Sequence, residues 1–128
     1  MTELNLDVDV DLDLSDAGCT WVDVCSFTEL QPDRGACALV AGQQVALFRL
    51  SPDDALYAIS NYDPFSDAYV LSRGIVGSKG DVPKVASPIF KQNFDLRTGV
   101  CLDKPEVSVP VWAVRVRDGR VEVGVAAG

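Results

Sequence analysis

The chain has 128 residues, of which 48% are hydrophobic and 23% charged, as is typical of one soluble globular domain. Its formal net charge of −8, from 19 acidic and 11 basic residues, argues against nucleic acids and anionic membranes as partners. The chain has no apolar stretch as long as a transmembrane helix, and its N-terminus does not have the basic and apolar pattern of a secretory signal. A cytoplasmic location is therefore expected.

Residues 1–18 differ from the rest in composition. Between Leu4 and Leu14, apolar residues alternate with Asn or Asp, a period of two that places all these polar side chains on one face of an extended strand. A row of Asp repels itself, and Asp is a poor strand former. The segment is therefore predicted to be a flexible acidic tail, with an added edge strand as the alternative. Calcium binding would need the glycine turn of an EF-hand loop, which does not accompany these residues.

The remaining residues, 19–128, are predicted to form one all-β domain. Short apolar runs are separated by Gly, Pro and Asp turns, a pattern typical of a small sandwich or barrel. Residues 26–29 have capping-box spacing and predict a single helical turn. Residues 41–43, and later Asp118 with Gly119, predict hairpin turns between apolar strands.

The four cysteines, Cys19, Cys25, Cys37 and Cys101, do not have the spacing of a zinc or iron–sulfur site, and the chain contains no His. Because Cys25, Cys37 and Cys101 lie in apolar strand-like runs, they are predicted to be reduced, buried thiols that pack as small hydrophobes. Nucleophilic catalysis by Ser or Cys usually needs a base such as His. We therefore expect no catalytic centre and no metal site in this chain.

Two segments resemble the cluster loops of Rieske iron–sulfur domains. Residues 58–65 read Ala-Ile-Ser-Asn-Tyr-Asp-Pro-Phe, and residues 86–99 read Ala-Ser-Pro-Ile-Phe-Lys-Gln-Asn-Phe-Asp-Leu-Arg-Thr-Gly. In Rieske domains the first loop reads Cys-x-His, and the second reads Cys-Pro-x-His and continues into Phe-Asp-Leu-x-Thr-Gly. The four ligand positions are occupied here by Asp63, Phe65, Ser87 and Phe90. Because a Rieske centre needs two thiolates and two imidazoles, the chain is not expected to hold a cluster or to carry electrons as a Rieske ferredoxin.

Further segments narrow the resemblance, among them Leu-Ser-Arg-Gly at 71–74 and Val-Ser-Val-Pro-Val-Trp at 107–112. Together with the two loops they resemble the small subunit of bacterial assimilatory NAD(P)H-dependent nitrite reductase, a Rieske-like protein without a cluster. The resemblance implies a small antiparallel sandwich or barrel with two hairpin loops at one tip. It also implies a cofactor-free, non-catalytic subunit of an oxidoreductase. The partner would be a large subunit with FAD, sirohaem and a four-iron cluster, which reduces nitrite to ammonium. The alternative is a Rieske-like interaction or structural module of another redox complex, because fold does not fix function.

The resemblance also implies that the tip, residues 62–69 and 88–92, meets the large subunit. The predicted partner-binding residues are Tyr62, Phe65, Tyr69, Ile89, Phe90 and Lys91. An aromatic surface with little charge suits the core of an interface, and Asp63, Asp67 and Lys91 are expected to form its polar rim. The alternative is that these side chains pack the two loops onto each other.

Phe65 and Phe90 help to decide between a docking surface and packing of the two loops, because they occupy the two His positions. They are predicted to fill the space of the absent cluster, in which case truncation of Phe90 would cost about 3–5 kcal/mol. Exposure of both rings as a docking patch is the alternative.

Overall fold

The structure is a computed structural model, and it describes residues 19–126. The predictions for residues 1–18 fall outside this range. The strands of the described range are β1 (Cys19–Ser26), β2 (Arg34–Val40), β3 (Gln43–Leu50), β4 (Ala55–Ser60), β5 (Tyr62–Asp63), β6 (Ala68–Tyr69), β7 (Ile75–Lys79), β8 (Val82–Ala86), β9 (Asn93–Asp95), β10 (Val111–Arg117) and β11 (Arg120–Ala126). Between residues 19 and 126 the helices are two short 3-10 turns, Phe27–Glu29 and Leu71–Arg73, and no helix in this range could span a membrane. The first turn begins with the predicted capping box, in which the Ser26 backbone N–H donates to Glu29 Oε1.

Six strands form the main sheet, in the order β1-β11-β10-β4-β3-β2, with antiparallel pairing throughout. The predicted hairpins are confirmed, since β2 pairs with β3 along its whole length and β10 turns into β11 at Asp118 and Gly119. The sheet is curled, because β1 and β2, the strands at its two ends, line one shared groove. This half-barrel confirms the all-β fold predicted from the sequence.

Two smaller antiparallel units carry the loops of interest. Strands β7, β8 and β9 form a three-stranded sheet, and β5 pairs with β6. We call residues 61–70, which contain β5 and β6, the first loop, and residues 87–92, between β8 and β9, the second loop. A hydrogen bond between Asp63 and Ser87 joins the two loops, so they lie together at one tip of the molecule, as predicted.

Alternation along β3 divides the core into two clusters. Ala46 and Phe48 face one cluster, whereas Val45 and Leu47 face the other, as a period of two requires. The first cluster contains buried side chains of β8, β9 and the segment after β9, namely Val85, Phe94, Leu96 and Cys101. The second cluster fills the curled sheet and includes Val121 and Val123 of β11. The two loops are therefore anchored on the first cluster, behind the main sheet.

The prediction for the cysteines is right for Cys101 and wrong for Cys37. Cys101 is fully buried in the first cluster, and Cys25 is half-buried, which raises the pKa of its thiol. Cys37, by contrast, is exposed, because its side chain lies on the face of β2 opposite to Ala36 and Ala38, which pack against the second cluster. None of the four cysteines forms a disulfide within residues 19–126.

Gly99 closes the turn after β9, and we expect the substitution Gly99→Ala to be strongly destabilising. Its φ of +80° lies in the left-handed region, and a Cβ atom there would stand 2.1 Å from the carbonyl oxygen of Val109. The backbone strain costs about 1–2 kcal/mol, and the clash adds to it. Thermal or urea unfolding should show a loss of about 3 kcal/mol or more.

Gly119 provides the matched control for this prediction. Its φ is +77°, but nothing lies within 4 Å of the position that a Cβ atom would take there. Gly119→Ala should therefore cost about 1–2 kcal/mol, from backbone strain without a clash. Equal losses for the two variants would contradict the role given to the close approach at Val109.

Candidate functional site

The two positions that correspond to thiolate ligands, Asp63 and Ser87, are joined by a direct hydrogen bond. Both residues are fully buried, and Ser87 Oγ donates to Asp63 Oδ2 at 2.5 Å. The same carboxyl group accepts from the Phe65 backbone N–H at 3.0 Å and from Ser66 Oγ at 2.8 Å. The two loops are therefore linked side chain to side chain at two positions that the resemblance assigns to cluster ligands. The expectation that Asp63 belongs to an exposed polar rim is wrong, because its carboxyl group is used inside the tip.

Asn61 anchors the first loop to the main sheet. Its side chain is 2% exposed, and its amide nitrogen donates to Gln44 Oε1 and to the Tyr69 carbonyl at 3.1 and 3.2 Å. Its Oδ1 accepts from the Ser72 backbone N–H at 2.7 Å. This role of Asn61 was not predicted from the sequence. A buried Asn needs hydrogen-bond partners for both its amide nitrogen and its amide oxygen. The position of Asn61, directly after the apolar strand and before the loop motif, was the signal that could have indicated this anchor.

The second loop is closed by its own backbone. The Ser87 N–H donates to the Gln92 carbonyl at 2.9 Å, and the Lys91 N–H donates to the Ser87 carbonyl at 3.1 Å. Ser87 Oγ also accepts from the Ile89 N–H at 3.2 Å. Because these bonds fix a tight turn around Pro88, the side chains at positions 89–91 are carried outward, away from the core.

The Phe-Asp-Leu-Arg-Thr-Gly run after the second loop is a structural anchor. Phe94 and Leu96 are buried in the first cluster, whereas Asp95 accepts from the backbone N–H and the guanidinium of Arg97. Burial alone would raise the pKa of Asp95, but the hydrogen bonds and charge of Arg97 outweigh it and lower this pKa below its usual value. The motif thus fixes the turn at the base of the tip through the ion pair between Asp95 and Arg97.

The donor set at the tip does not fit the two-iron cluster implied by the fold. Asp63 and Ser87 offer oxygen atoms that are already hydrogen-bonded to each other, and Phe65 and Phe90 offer no ligand atom. The sequence contains no His, and the buried Cys101 packs in the core. No group of three or more Cys, Asp or Glu side chains within residues 19–126 could hold a metal ion. Oxygen-rich sets of this kind do not suit iron–sulfur chemistry.

The prediction that Phe65 and Phe90 together fill the cluster space is wrong for Phe90, and for Phe65 it stays a prediction. Phe65 is half-buried and packs on the core residue Phe94, with ring centroids 6.1 Å apart. Phe90 is 57% exposed. The backbone bonds of the second loop direct the Phe90 ring away from the core, so of the two rings Phe65 is the one that packs on it.

This difference predicts unequal effects of truncation. Phe65→Ala should lower the free energy of unfolding by about 2 kcal/mol, which is less than for a fully buried aromatic ring. Phe90→Ala should change it by no more than about 0.5 kcal/mol, as for other surface substitutions. Urea denaturation of the two variants measures both values. A loss of several kcal/mol for Phe90→Ala would restore the prediction that its ring fills the cluster space.

The tip presents several exposed apolar side chains. Exposure is 46% for Ile89, 57% for Phe90 and 55% for Tyr69. Tyr62 is half-buried and donates its hydroxyl proton to Asp67. This hydrogen bond raises the pKa of Tyr62. The ring of Tyr62 packs against Tyr69, with centroids 5.2 Å apart and ring planes tilted by 58°. Lys91 is exposed, and its Nζ donates to the Pro88 carbonyl at 3.2 Å.

One further apolar residue, Leu39, adjoins the tip and was not predicted from the sequence. It lies on β2, is 74% exposed and lines a groove of about 490 Å³ together with Tyr62, Tyr69 and Pro110. Nothing in the sequence around Leu39 distinguishes it from a buried strand residue. Its position beside the tip follows from the pairing of β2 with β3 and from the attachment of the first loop to Gln44.

Comparison with known proteins gives matches along the whole described domain. Residues 20–124 match the family described as Rieske-like [2Fe-2S] domain. The small subunit of nitrite reductase (NADH) from Escherichia coli K12 is 42% identical over 103 residues, which cover 80% of this chain and 95% of that protein. The nitrite reductase [NAD(P)H] large subunit of Klebsiella oxytoca is 40% identical over 104 residues, which cover 81% of this chain and 11% of that protein. In that enzyme, a domain similar to this chain is part of the large-subunit polypeptide.

Solved structures agree with these matches. A Mycobacterium tuberculosis protein described as an NADH-dependent nitrite reductase small subunit superposes with a TM-score of 0.82 at 49% identity, over 86% of this chain and 98% of that one. The ferredoxin of carbazole 1,9a-dioxygenase from Nocardioides aromaticivorans IC177 gives a TM-score of 0.71 at 28% identity, over 85% of this chain and 99% of that one.

Proposed function

Because the chain belongs to the Rieske-like [2Fe–2S] domain family and, within it, to the nitrite reductase small subunits, we propose that it is the non-catalytic small subunit of an NAD(P)H-dependent nitrite reductase. Its role is to assist a large subunit that reduces nitrite to ammonium. The observation that carries the proposal is the tip itself, which keeps the two loops of the fold but joins them by a hydrogen bond at the ligand positions.

The chemistry of this enzyme belongs to the large subunit. The tip of the small subunit has no ligand set for iron, and its most polar group, Asp63, is buried and occupied by three donors. FAD, sirohaem and a four-iron cluster are accordingly assigned to the large subunit, as the resemblance implies. The small subunit contributes through binding, by stabilising or ordering the large subunit at their interface.

The tip is the surface that binds the large subunit. Its exposed apolar residues, Ile89, Phe90, Tyr69 and Leu39, form the core of the interface, and aromatic residues at such positions commonly dominate binding. Asp67 and Lys91 lie at the rim. Phe65 supports this surface from below, since its ring packs on the core. A rigid loop pair of this kind loses little conformational entropy on binding, which favours affinity.

The fused arrangement in Klebsiella oxytoca supports one small subunit for each large subunit. A domain similar to this chain occupies 11% of that large-subunit polypeptide, and one polypeptide supplies both parts in equal number. We assign the same ratio to the separate subunits, and the cytoplasm, where thiols stay reduced, as their compartment.

Copurification and activity together test this function. The chain should copurify with the nitrite reductase large subunit of the same cell, in equimolar amount, and should increase nitrite-dependent oxidation of NADH or NADPH above the rate of the large subunit alone. Bovine serum albumin at the same concentration controls for non-specific protection. A large subunit that neither binds the chain nor gains activity from it would overturn the proposal and favour a module of another redox complex.

A further inference from the structure

Two Arg-Gly pairs of the sequence meet at one surface groove. Arg34 and Gly35 begin β2, whereas Arg73 ends the second 3-10 turn and Gly74 follows it. A Cβ atom at Gly35 would clash with the Ser72 carbonyl oxygen, and a Cβ atom at Gly74 would clash with the backbone of β8. The two glycines therefore let the turn pack directly on both strands. This packing brings Arg34 and Arg73 to a common groove of about 430 Å³.

The two arginines of this groove are exposed, and among residues 19–126 neither forms an ion pair. Most other arginines are paired with a carboxylate in the same range, namely Arg49, Arg97, Arg115 and Arg120. Carboxylates are plentiful, because the chain has a net charge of −8, yet these two guanidinium groups lie at one groove without such a partner. Two like charges beside one groove attract an anion.

Asp33 borders the groove beside the two arginines. Its Oδ1 accepts from the Ser51 backbone N–H at 2.9 Å, and this hydrogen bond lowers the pKa of Asp33, so the carboxyl group is ionised at neutral pH. With one carboxylate against two guanidinium groups, the charged residues of the groove keep a formal charge of +1. Asp33 therefore weakens the attraction for an anion but does not cancel it.

We propose that this groove binds a phosphate group, free or carried by a small molecule, through Arg34 and Arg73. A guanidinium group presents its N–H donors in a planar fork that matches the oxygen atoms of phosphates and carboxylates. A phosphate group has oxygen atoms for two such forks and a charge of about −1.5 to −2 at neutral pH, whereas a carboxylate offers two oxygen atoms and one charge. Two guanidinium groups at one groove therefore fit a phosphate better than a carboxylate.

The groove also has room for more than the phosphate group itself. Its volume lies within the range of about 300–1,000 Å³ that is usual for small-molecule sites, and Ile75 and Val76 add apolar surface to its lining. None of its lining residues belongs to the first or the second loop. The site therefore goes beyond the function proposed for the tip and does not depend on it.

Titration of the isolated full chain with inorganic phosphate, at constant ionic strength and followed by NMR of the backbone amides, tests this proposal. The amide signals of residues 34–35 and 72–74 should shift and reach saturation. Arg34→Gln and Arg73→Gln should each weaken the affinity by about tenfold, because each removes a charge-assisted contact. Arg117→Gln is the matched control. Arg117 is exposed and has no ion pair within residues 19–126, but it lies on β10, outside the groove, so this variant should keep the affinity.

Two further arms of the titration test the charge effect and the source of the phosphate group. Asp33→Asn keeps an acceptor for the Ser51 N–H but removes the negative charge, so the affinity for phosphate should rise about threefold. ADP as a second probe separates the two sources. Tighter binding of ADP than of phosphate indicates a phosphorylated small molecule, and equal or weaker binding indicates free phosphate.

The proposal is overturned if phosphate causes no saturable shift, or if the shift persists with equal affinity in a variant that lacks both arginines. It is also overturned if acetate at the same ionic strength produces the same saturable shifts, because the groove would then attract any anion by charge alone. Unchanged amide signals outside the groove show that each variant is folded.

Discussion

Replacing Asp63 by Ala is expected to lower the free energy of unfolding by about 3–5 kcal/mol, the largest effect of any single change at the tip. The substitution leaves three donors without their acceptor, namely the Phe65 N–H and the hydroxyls of Ser66 and Ser87. Because positions 63 and 87 are fully buried, water cannot replace the carboxyl group without opening the loops. Each buried donor left unsatisfied costs about 1–3 kcal/mol.

Two controls separate the link between the loops from a general effect of losing a side chain. Ser87→Ala removes one donor to Asp63 and the acceptor of the Ile89 N–H, but it leaves the other two bonds of Asp63 intact, so it should cost about 1–2 kcal/mol. Asp67→Ala removes an exposed carboxyl group of the same loop, which accepts from the Tyr62 hydroxyl at a backbone φ of 55°, and should cost about 1–2 kcal/mol. Urea unfolding followed by circular dichroism measures all three. Equal losses for Asp63→Ala and Asp67→Ala would contradict the role of the buried link.

Replacing Ile89 and Phe90 together by Asp is expected to weaken binding of the large subunit by a factor of about 100 or more, since loss of central interface residues often costs about 2 kcal/mol or more each. Both side chains are about half exposed, so the fold should be unaffected and the melting temperature nearly unchanged. Tyr62 is left unchanged in this variant, because its ring packs against Tyr69 and its hydroxyl donates to Asp67. Isothermal titration calorimetry with the purified large subunit measures the change.

A matched variant carries the same substitutions away from the tip. Ile75 on β7 and Val116 on β10 are 67% and 44% exposed, so replacing both by Asp adds the same charge to apolar surface elsewhere. This variant should bind with nearly the affinity of the unmodified chain. If it weakens binding as much as the tip variant does, the effect comes from net charge, and the tip is not the docking surface.

The features predicted correctly from the sequence depend on local residues. The hairpin at Asp118 and Gly119 and the capped turn at Ser26 follow from the backbone preferences of a few neighbouring positions. The family resemblance supplied the pairing of the two loops, which no local pattern contains. It also located the positions 63 and 87, whose direct hydrogen bond now joins the loops.

The features predicted wrongly depend on the partners and the direction that the fold gives each side chain, which its residue type does not reveal. Asp63 was expected at the surface because Asp is rarely buried without a partner, and its partner Ser87 lies 24 positions away. Phe90 was expected in the core because of its ring, but the backbone bonds of the second loop direct it outward. Cys37 belongs to an apolar run, yet its side chain lies on the face of β2 opposite to the core-packed Ala36 and Ala38, which leaves it exposed.

A Rieske-like tip, held together by hydrogen bonds where the fold implies iron, is proposed to dock on the nitrite reductase large subunit. Amide hydrogen exchange of the unmodified chain, measured with and without the large subunit, tests whether the tip docks on the large subunit. We expect slower exchange on binding at residues 62–69 and 89–92, with little change in β7 and β11. Slower exchange confined to other strands, with both loops unchanged, would contradict docking through the tip.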